Sequence, residues 1–509
     1  MMGRTRSIAL AGLDGYVIDV EAHMAASLPA FTIVGLPDAS LNEARDRVRA
    51  AVTSSNLPWP NRRITVNLSP ASLPKTGSAT DLSIAVAVLA AAGLIDRAAA
   101  RGPVHLGELG LDGRVRPVRG VLPAVAEAVR AGAADVVVPT GNLAEARLVP
   151  GAAPIGVATL AELAARYGNE KARPSSTEVV LPATRPRAEA EGLDLADVRG
   201  QEEPRWALEV AAAGGHHLLM VGPPGAGKTM LAARLPGILP DLAPEDAVLA
   251  TSVHSIAGTL DPAAGLLSRP PFEAPHHSAS VAAIVGGGSH LARPGAISRA
   301  HAGVLFLDEA PEFPSSVLQS LRQPLESGEV VLHRAAGAAR YPARFQLIMA
   351  ANPCPCGAFA GTGEGCSCTP MARRRYFGRL SGPLLDRVDL HVDVRAVRRG
   401  TDDRGESSAT VAARVASARA ASGARFAGLG WRSNAATPPA WLREHTPRPV
   451  VAVGLRALDR GALTARGLDR SFRVAWTLAD LAGLGSPGVE QLHQAMLLRT
   501  RASVMGAAA

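Results

Sequence analysis

The stretch Gly222-Pro223-Pro224-Gly225-Ala226-Gly227-Lys228-Thr229 decides the fold. It fits G-x-x-x-x-G-K-[ST], the phosphate-binding P-loop. The run before it, 217–221 (HLLMV), is apolar and suits a buried parallel strand, and the run after it, 230–235, suits a helix. The motif needs that context, because the loop must hand a phosphate to a helix N-terminus. Gly222, Gly225 and Gly227 let backbone N–H groups turn inward with no Cβ in the way. Lys228 then reaches the β- and γ-phosphates of ATP, and the Thr229 hydroxyl can hold Mg²⁺. The bland alternative is a glycine-rich turn that binds nothing. Lysine usage argues against it: only three of the 53 Lys and Arg residues are lysine, namely Lys75, Lys171 and Lys228. A lysine kept at this position indicates a site that wants a compact ammonium rather than a planar guanidinium.

At 509 residues the chain has room for several cores, roughly two to four domains. It is 47% hydrophobic and 19% charged, which excludes wholesale disorder. Aromatics are only 4%, so Ala, Val and Leu must do most of the packing. The net charge of +8 suits a polyanionic partner, though it is modest for the length. No run is long and apolar enough for a membrane span. The apolar stretch at Ile8 is interrupted at Asp14, too soon for a secretory signal. The expectation is a cytoplasmic protein with no membrane partner.

Residues 1–167 read as a separate α/β domain. Strands are expected over 16–24, 31–34, 64–68 and 135–139, and helices over 41–54, 81–89 and 121–131, with a hairpin over 104–118 turned at Asp112-Gly113. The segment Pro74-Lys75-Thr76-Gly77-Ser78-Ala79-Thr80-Asp81-Leu82, together with 111–139, resembles the proteolytic domain of Lon-type proteases. That family uses a Ser–Lys dyad. Here the nucleophile position falls at Ala79 and the lysine position near Leu122, and neither residue can do that chemistry. Ser78 and Lys75 lie close by at the wrong spacing. The resemblance therefore implies a Lon-like domain without its dyad, serving assembly or docking. Residues 168–192, rich in Pro, Ser, Glu and Arg without periodicity, read as a linker.

Downstream, Gly303-Val304-Leu305-Phe306-Leu307-Asp308-Glu309 is an apolar strand ending in two carboxylates, about eighty residues after the P-loop. This is the Walker B pattern. Asp308 would hold Mg²⁺ and Glu309 would polarise the attacking water. Residues 346–351 form a third apolar run, ending at Asn352.

These motifs resemble AAA+ ATPases of the magnesium-chelatase-like group, specifically the YifB/ComM family. Group-specific pieces are Ala274-Pro275-His276-His277, Gly286-Gly287-Gly288, Arg293-Pro294-Gly295 and Asn352-Pro353-Cys354-Pro355-Cys356-Gly357. Small departures are Ala296, where an acidic residue is expected, and Trp476, where a basic one is. The resemblance implies an α/β P-loop AAA+ core over 193–398 and an α-helical C-terminal lid over 399–509, preceded by the Lon-like domain. It assigns Gln201, in Val198-Arg199-Gly200-Gln201, to the adenine side. Asn352 becomes sensor 1. Arg387, in Ser381-Gly382-Pro383-Leu384-Leu385-Asp386-Arg387, becomes an arginine finger acting on the neighbouring subunit of a ring. Arg473 becomes the sensor 2 candidate, with Arg470 as its rival one turn earlier. A surface ion pair with Asp386 or Asp389 is the plain alternative for Arg387.

Cys354-x-Cys356 and Cys366-x-Cys368 are separated by nine residues and include every cysteine of the chain. They can close a Cys₄ zinc site, or remain reduced thiols, or serve redox chemistry. Four thiolates leave no open position, so a zinc there would be structural. His276 and His277, adjacent in sequence, read as loop structure, because neighbours in a strand point to opposite faces. Two insertions mark the core: 267–291, and a hairpin over 330–343 turned at Ala336-Gly337. In related rings such insertions point into the pore. His333, Arg334 and Arg340 on the hairpin are the candidates for tracking DNA phosphates. Apart from Tyr341 no base-stacking aromatic is obvious there, which suits a duplex or backbone tracker better than a single-strand stacker.

The resemblance implies Mg²⁺-dependent ATP hydrolysis by a homo-hexamer that translocates on single-stranded or branched DNA. The family role is branch migration in recombination during natural transformation, alongside recombination proteins. Rivals are a magnesium-chelatase motor subunit, a protein remodeller and, less well supported, an ATP-dependent protease.

Overall fold

The computed structural model describes residues 1–35, 39–70, 78–172, 192–288, 292–334, 337–359, 365–380, 382–396 and 405–500. Lys75 and most of the linker at 173–191 lie outside them, as does the hairpin turn at 335–336.

The N-terminal part is built on a seven-stranded mixed sheet. Its strands run in the order Ala30–Val34, Arg63–Ser69, Asp14–Ala25, Met2–Ala11, Val104–His105, Asp135–Pro139 and Ala153–Val157. The first two strands of the chain pair antiparallel from Met2↔His23 to Ala11↔Asp14. Helix Asp81–Ala92 lies on this sheet, buried almost all round as its unbroken apolar sequence requires.

Strand Met2–Ala11 is not foreseen by hydropathy. Its inward positions begin with Gly3, Thr5 and Ser7, so no apolar alternation announces it. The small residues let the helix approach closely: a Cβ on Gly3 would stand 2.2 Å from the Ala87 carbonyl oxygen. Thr5 Oγ1 donates to Ser83 O and Ser7 Oγ to His105 O, each at 3.0 Å. Each such bond contributes about 1 kcal/mol net and satisfies a buried hydroxyl. The expected hairpin over 104–118 is shorter than read. Glu108–Leu109 pairs with Val115–Arg116, while Val104–His105 belongs to the main sheet.

The second sheet has five strands, ordered Phe272–Glu273, Val304–Leu307, Gln346–Ala351, Leu218–Val221 and Leu390–Asp393. Every neighbouring pair is parallel. Both faces are covered, which is why the strands read as continuous apolar runs. Leu218, Met220, Phe306 and Ile348 share one core with the C-terminal helices, through residues such as Phe472 and Leu492. Leu219, Leu305, Leu307 and Met349 face the other way, onto Phe313 and Phe377. The C-terminal helices Ser408–Arg425, Ala465–Leu481 and Val489–Thr500 are thus packed into the core of the sheet. Trp476 belongs to that core, with the Arg425 guanidinium 4.4 Å from its ring centroid. A basic group therefore reaches this spot from another helix.

Among the described residues, contacts between the N-terminal domain and the second sheet's domain include two buried ones. Buried Glu145 accepts from Ser255 Oγ and from the Leu122 backbone N–H. Nearby, Gly12 bridges Arg340 through the backbone, and Leu10 and Leu13 pack on Ile256, Ala292, Ala339 and Tyr341. Tyr341 is 1% exposed and donates to Ala292 O, so it is a core residue and cannot stack on a base.

Candidate active site

The P-loop connects strand Leu218–Val221 to helix Lys228–Arg234. Gly225 and Gly227 have φ of 75° and 94°, the left-handed region that glycine enters without strain. Gly222 is demanded by crowding, since a Cβ would meet the Val394 carbonyl oxygen at 2.0 Å. Three strand ends meet around this loop, at the C-terminal edge where parallel sheets bind ligands. Leu218–Val221 brings the P-loop, Val304–Leu307 brings Asp308 and Glu309, and Gln346–Ala351 brings Asn352.

The side chains converge. Lys228 Nζ donates to Gly222 O at 2.7 Å, Pro223 O at 2.9 Å and Asn352 Oδ1 at 3.1 Å. Burial pulls the Lys228 ammonium below its usual range, opposed by the charges of Asp308 and Glu309. Thr229 Oγ1 donates to Asp308 Oδ2 at 2.6 Å, and the Glu309 N–H to Asp308 Oδ1 at 2.9 Å. A hydroxyl and a carboxylate so close are hard oxygen donors of the kind Mg²⁺ takes beside phosphates. Glu309 has φ of 50°, a costly conformation for a side-chain-bearing residue. Gln201 Nε2 donates to Ala226 O at 3.0 Å and to Arg395 O, tying the segment before helix Glu202–Gly214 to the P-loop.

His277 joins this set unforeseen. Its Nδ1 lies 3.3 Å from Glu309 Oε2. Residues 276 and 277 follow the short strand Phe272–Glu273 and are not themselves in a strand, so the opposite-faces argument does not apply. Their rings lie 4.0 Å apart. The available signal was positional: a histidine pair just past a strand that borders the Walker B strand.

Arg387 and Arg473 lie in other contacts. Arg387 donates to Glu326 and to Pro383 O, and its side chain is 14% exposed. The pairing with Asp386 or Asp389, the plain alternative to a finger, does not form. Asp389 is instead buried with Arg470 at 2.5 Å and His216 at 3.3 Å. Burial raises its pKa, but Arg470 and His216 outweigh that and hold it well below the carboxylate range. Arg470 also donates to the Arg387 carbonyl at 2.8 Å. Arg473 Nε donates to Thr437 O at 2.8 Å, and burial lowers its pKa.

On the hairpin Glu329–Arg334/Gly337–Pro342, His333 and Arg340 are exposed, and Arg340 pairs with Glu329 at 3.1 Å. The Arg334 side chain lies outside the described residues. The sulfurs of Cys354, Cys356, Cys366 and Cys368 all lie within 4.8 Å of one another, a group that could hold a metal ion. Among the described residues, no helix is long and apolar enough to cross a membrane.

Comparison with known proteins fits this geometry. Residues 194–401 match the family model described as magnesium chelatase, subunit ChlI. Residues 20–142 match that for subunit ChlI of Mg-chelatase, and 405–499 that for the subunit ChlI C-terminal region. The uncharacterized protein Rv2897c of Mycobacterium tuberculosis is 51% identical over 502 residues, covering 98% of each chain. Competence protein ComM of Haemophilus influenzae is 40% identical over 503 residues, 98% of this chain and 97% of its own. YifB of Escherichia coli is 43% identical over 417 residues, 81% of this chain and 80% of its own.

Proposed function

The chain belongs to the YifB/ComM family of magnesium-chelatase-like AAA+ ATPases, and from that premise we propose a Mg²⁺-dependent, ring-forming motor that moves branched DNA. The observation that carries the ATPase part is the convergence of Lys228, Thr229, Asp308, Glu309 and Asn352 at three strand ends. Lys228 leaves its carbonyl partners for the β- and γ-phosphates. Thr229 and Asp308 would hold Mg²⁺, and the ion would supply positive charge beside the phosphates. Glu309 takes the proton of the attacking water, and Asn352 orients that water against the γ-phosphate. Gln201 lies on the adenine side of the loop. Arg387 reaches the nucleotide of the next subunit, which requires a ring, taken here as a hexamer. Arg473 answers from the C-terminal helices as sensor 2.

The DNA part has narrower support. The relative named a competence protein matches across nearly the whole chain, and the net charge of +8 suits a polyanion. The exposed face of the hairpin carries His333 and Arg340, while its inner face is packed on the N-terminal domain. Such a mounting fits a backbone tracker held at a set position. The role would be branch migration in recombination. Adding branched DNA to the purified chain should raise ATP turnover several-fold, measured as phosphate release. Turnover indifferent to branched and single-stranded DNA would remove the DNA reading and leave the ATPase.

A second reading, a chelatase motor subunit, draws on the description of the matching family models. Metal insertion into a porphyrin with chelatase partner subunits would favour it.

His277 supplies a further expectation. A group 3.3 Å from Glu309 fixes where that carboxylate points. His277→Ala should lower kcat about 10-fold with KM changed less than about twofold, since it disturbs orientation rather than binding. His277→Asn, which can still donate, should recover part of the loss. A KM effect alone would place His277 in nucleotide binding instead.

A further inference from the structure

We propose that Cys354, Cys356, Cys366 and Cys368 hold a structural zinc ion, and that this tetrathiolate knuckle braces the P-loop against Asn352. The sulfur spacing is the first argument. Zinc bound to four thiolates at ~2.3 Å sets its sulfurs roughly 3.8 Å apart at the corners of a tetrahedron. Here Cys354 and Cys356 are 3.3 Å apart, Cys354 and Cys366 3.6 Å, and Cys356 and Cys366 3.7 Å. A disulfide needs ~2.05 Å, so none of these is one. An iron–sulfur cluster interposes iron and inorganic sulfide between its cysteines, and sulfurs this close leave no room for it.

The backbone is the second argument. Gly357, just after Cys356, has φ of 77°, and Gly365, just before Cys366, has φ of 86°. Each half of the cluster thus turns at a left-handed glycine. Simple reduced cysteines have no reason to gather at one point, and three of these four are not buried. An all-sulfur donor set is soft and selects zinc over the hard cation expected at Asp308.

The knuckle touches the nucleotide site twice. Asn352, which accepts from Lys228, stands two residues before Cys354. On the other side, a Cβ on Gly357 would come within 2.6 Å of Pro224 Cδ, so the turn after Cys356 lies directly on the P-loop. Zinc fixes this turn relative to Asn352, and through both contacts it fixes the loop that holds Lys228. The bracing claim rests on the nucleotide-site reading; the zinc claim does not.

The test uses the untagged full chain grown with zinc and iron both present. Elemental analysis should find about one zinc per chain, released by a mercurial reagent and read with a chromogenic zinc chelator. The double variant Cys366→Ser/Cys368→Ser should lose it. Iron in place of zinc, less than about a tenth of an equivalent of zinc, or zinc retained by the double variant would each overturn the site. The same double variant tests the bracing: with zinc lost and its melting transition retained, it should bind a fluorescent ATP analogue about 10-fold more weakly, as for a displaced supporting shell. Unchanged affinity in that variant would overturn the bracing and leave the zinc standing.

Discussion

Lys228→Ala is expected to abolish ATP turnover, to below about 1% of wild type, because it removes the one compact cation aimed at the transferring phosphoryl group. The ammonium sits where the P-loop, Asp308 and Asn352 meet, and its present partners are two loop carbonyls and an amide oxygen. None of these would balance the charge of a triphosphate. The fold should survive. Losing the donor leaves acceptors unpaired at about 1–3 kcal/mol, against ~5–15 kcal/mol for a stable domain. Phosphate release and thermal melting on the same preparation check both halves. Equal turnover in wild type and variant would contradict the nucleotide assignment, and a collapsed melting transition would make the site structural. Lys228→Arg should not rescue, since a planar fork does not fit a pocket formed by the Gly222 and Pro223 carbonyls.

Arg387→Ala should also silence the enzyme, by roughly 10³ or more if it supplies a finger to the neighbouring site. Mixing it with Lys228→Ala should bring activity back. A Lys228→Ala subunit still offers Arg387, and an Arg387→Ala subunit still offers a working P-loop. In randomly mixed rings about one interface in four would join the two intact halves. The contacts of Arg387 fit a side chain held ready rather than one locked in a core: Glu326 and the Pro383 carbonyl hold the guanidinium, and Arg470 holds its backbone carbonyl. If mass measurement shows mixed rings and no turnover returns, Arg387 does not act across subunits. Its pairing with Glu326 would then be its whole role.

What was legible in the sequence follows the range of the interactions involved. The P-loop, the Walker B strand and the run ending at Asn352 are local patterns, and their strands fall at Leu218–Val221, Val304–Leu307 and Gln346–Ala351. Helix Asp81–Ala92 was legible because its apolar run admits no exposed face. Strand Met2–Ala11 was not, because it hides glycine and hydroxyls against a helix rather than presenting apolar alternation. Long-range contacts explain what local patterns could not show. Arg387 pairs with Glu326, 61 residues away, rather than with Asp386 or Asp389. His277 finds Glu309 across a strand boundary. Tyr341 looked available to a base, but its hydroxyl bonds Ala292 and its ring is buried beside Leu10 and Leu13 of the N-terminal domain. No local pattern carries the information that another domain covers that face.

The DNA motor is the central claim, and ATP-dependent migration of a labelled three-strand DNA junction tests it most directly, with Lys228→Ala as the control. The account predicts that wild type moves the junction only with ATP and Mg²⁺, and that the variant does not. Robust ATPase with no migration and no stimulation by DNA would contradict it, and the search for a client would move to the N-terminal domain.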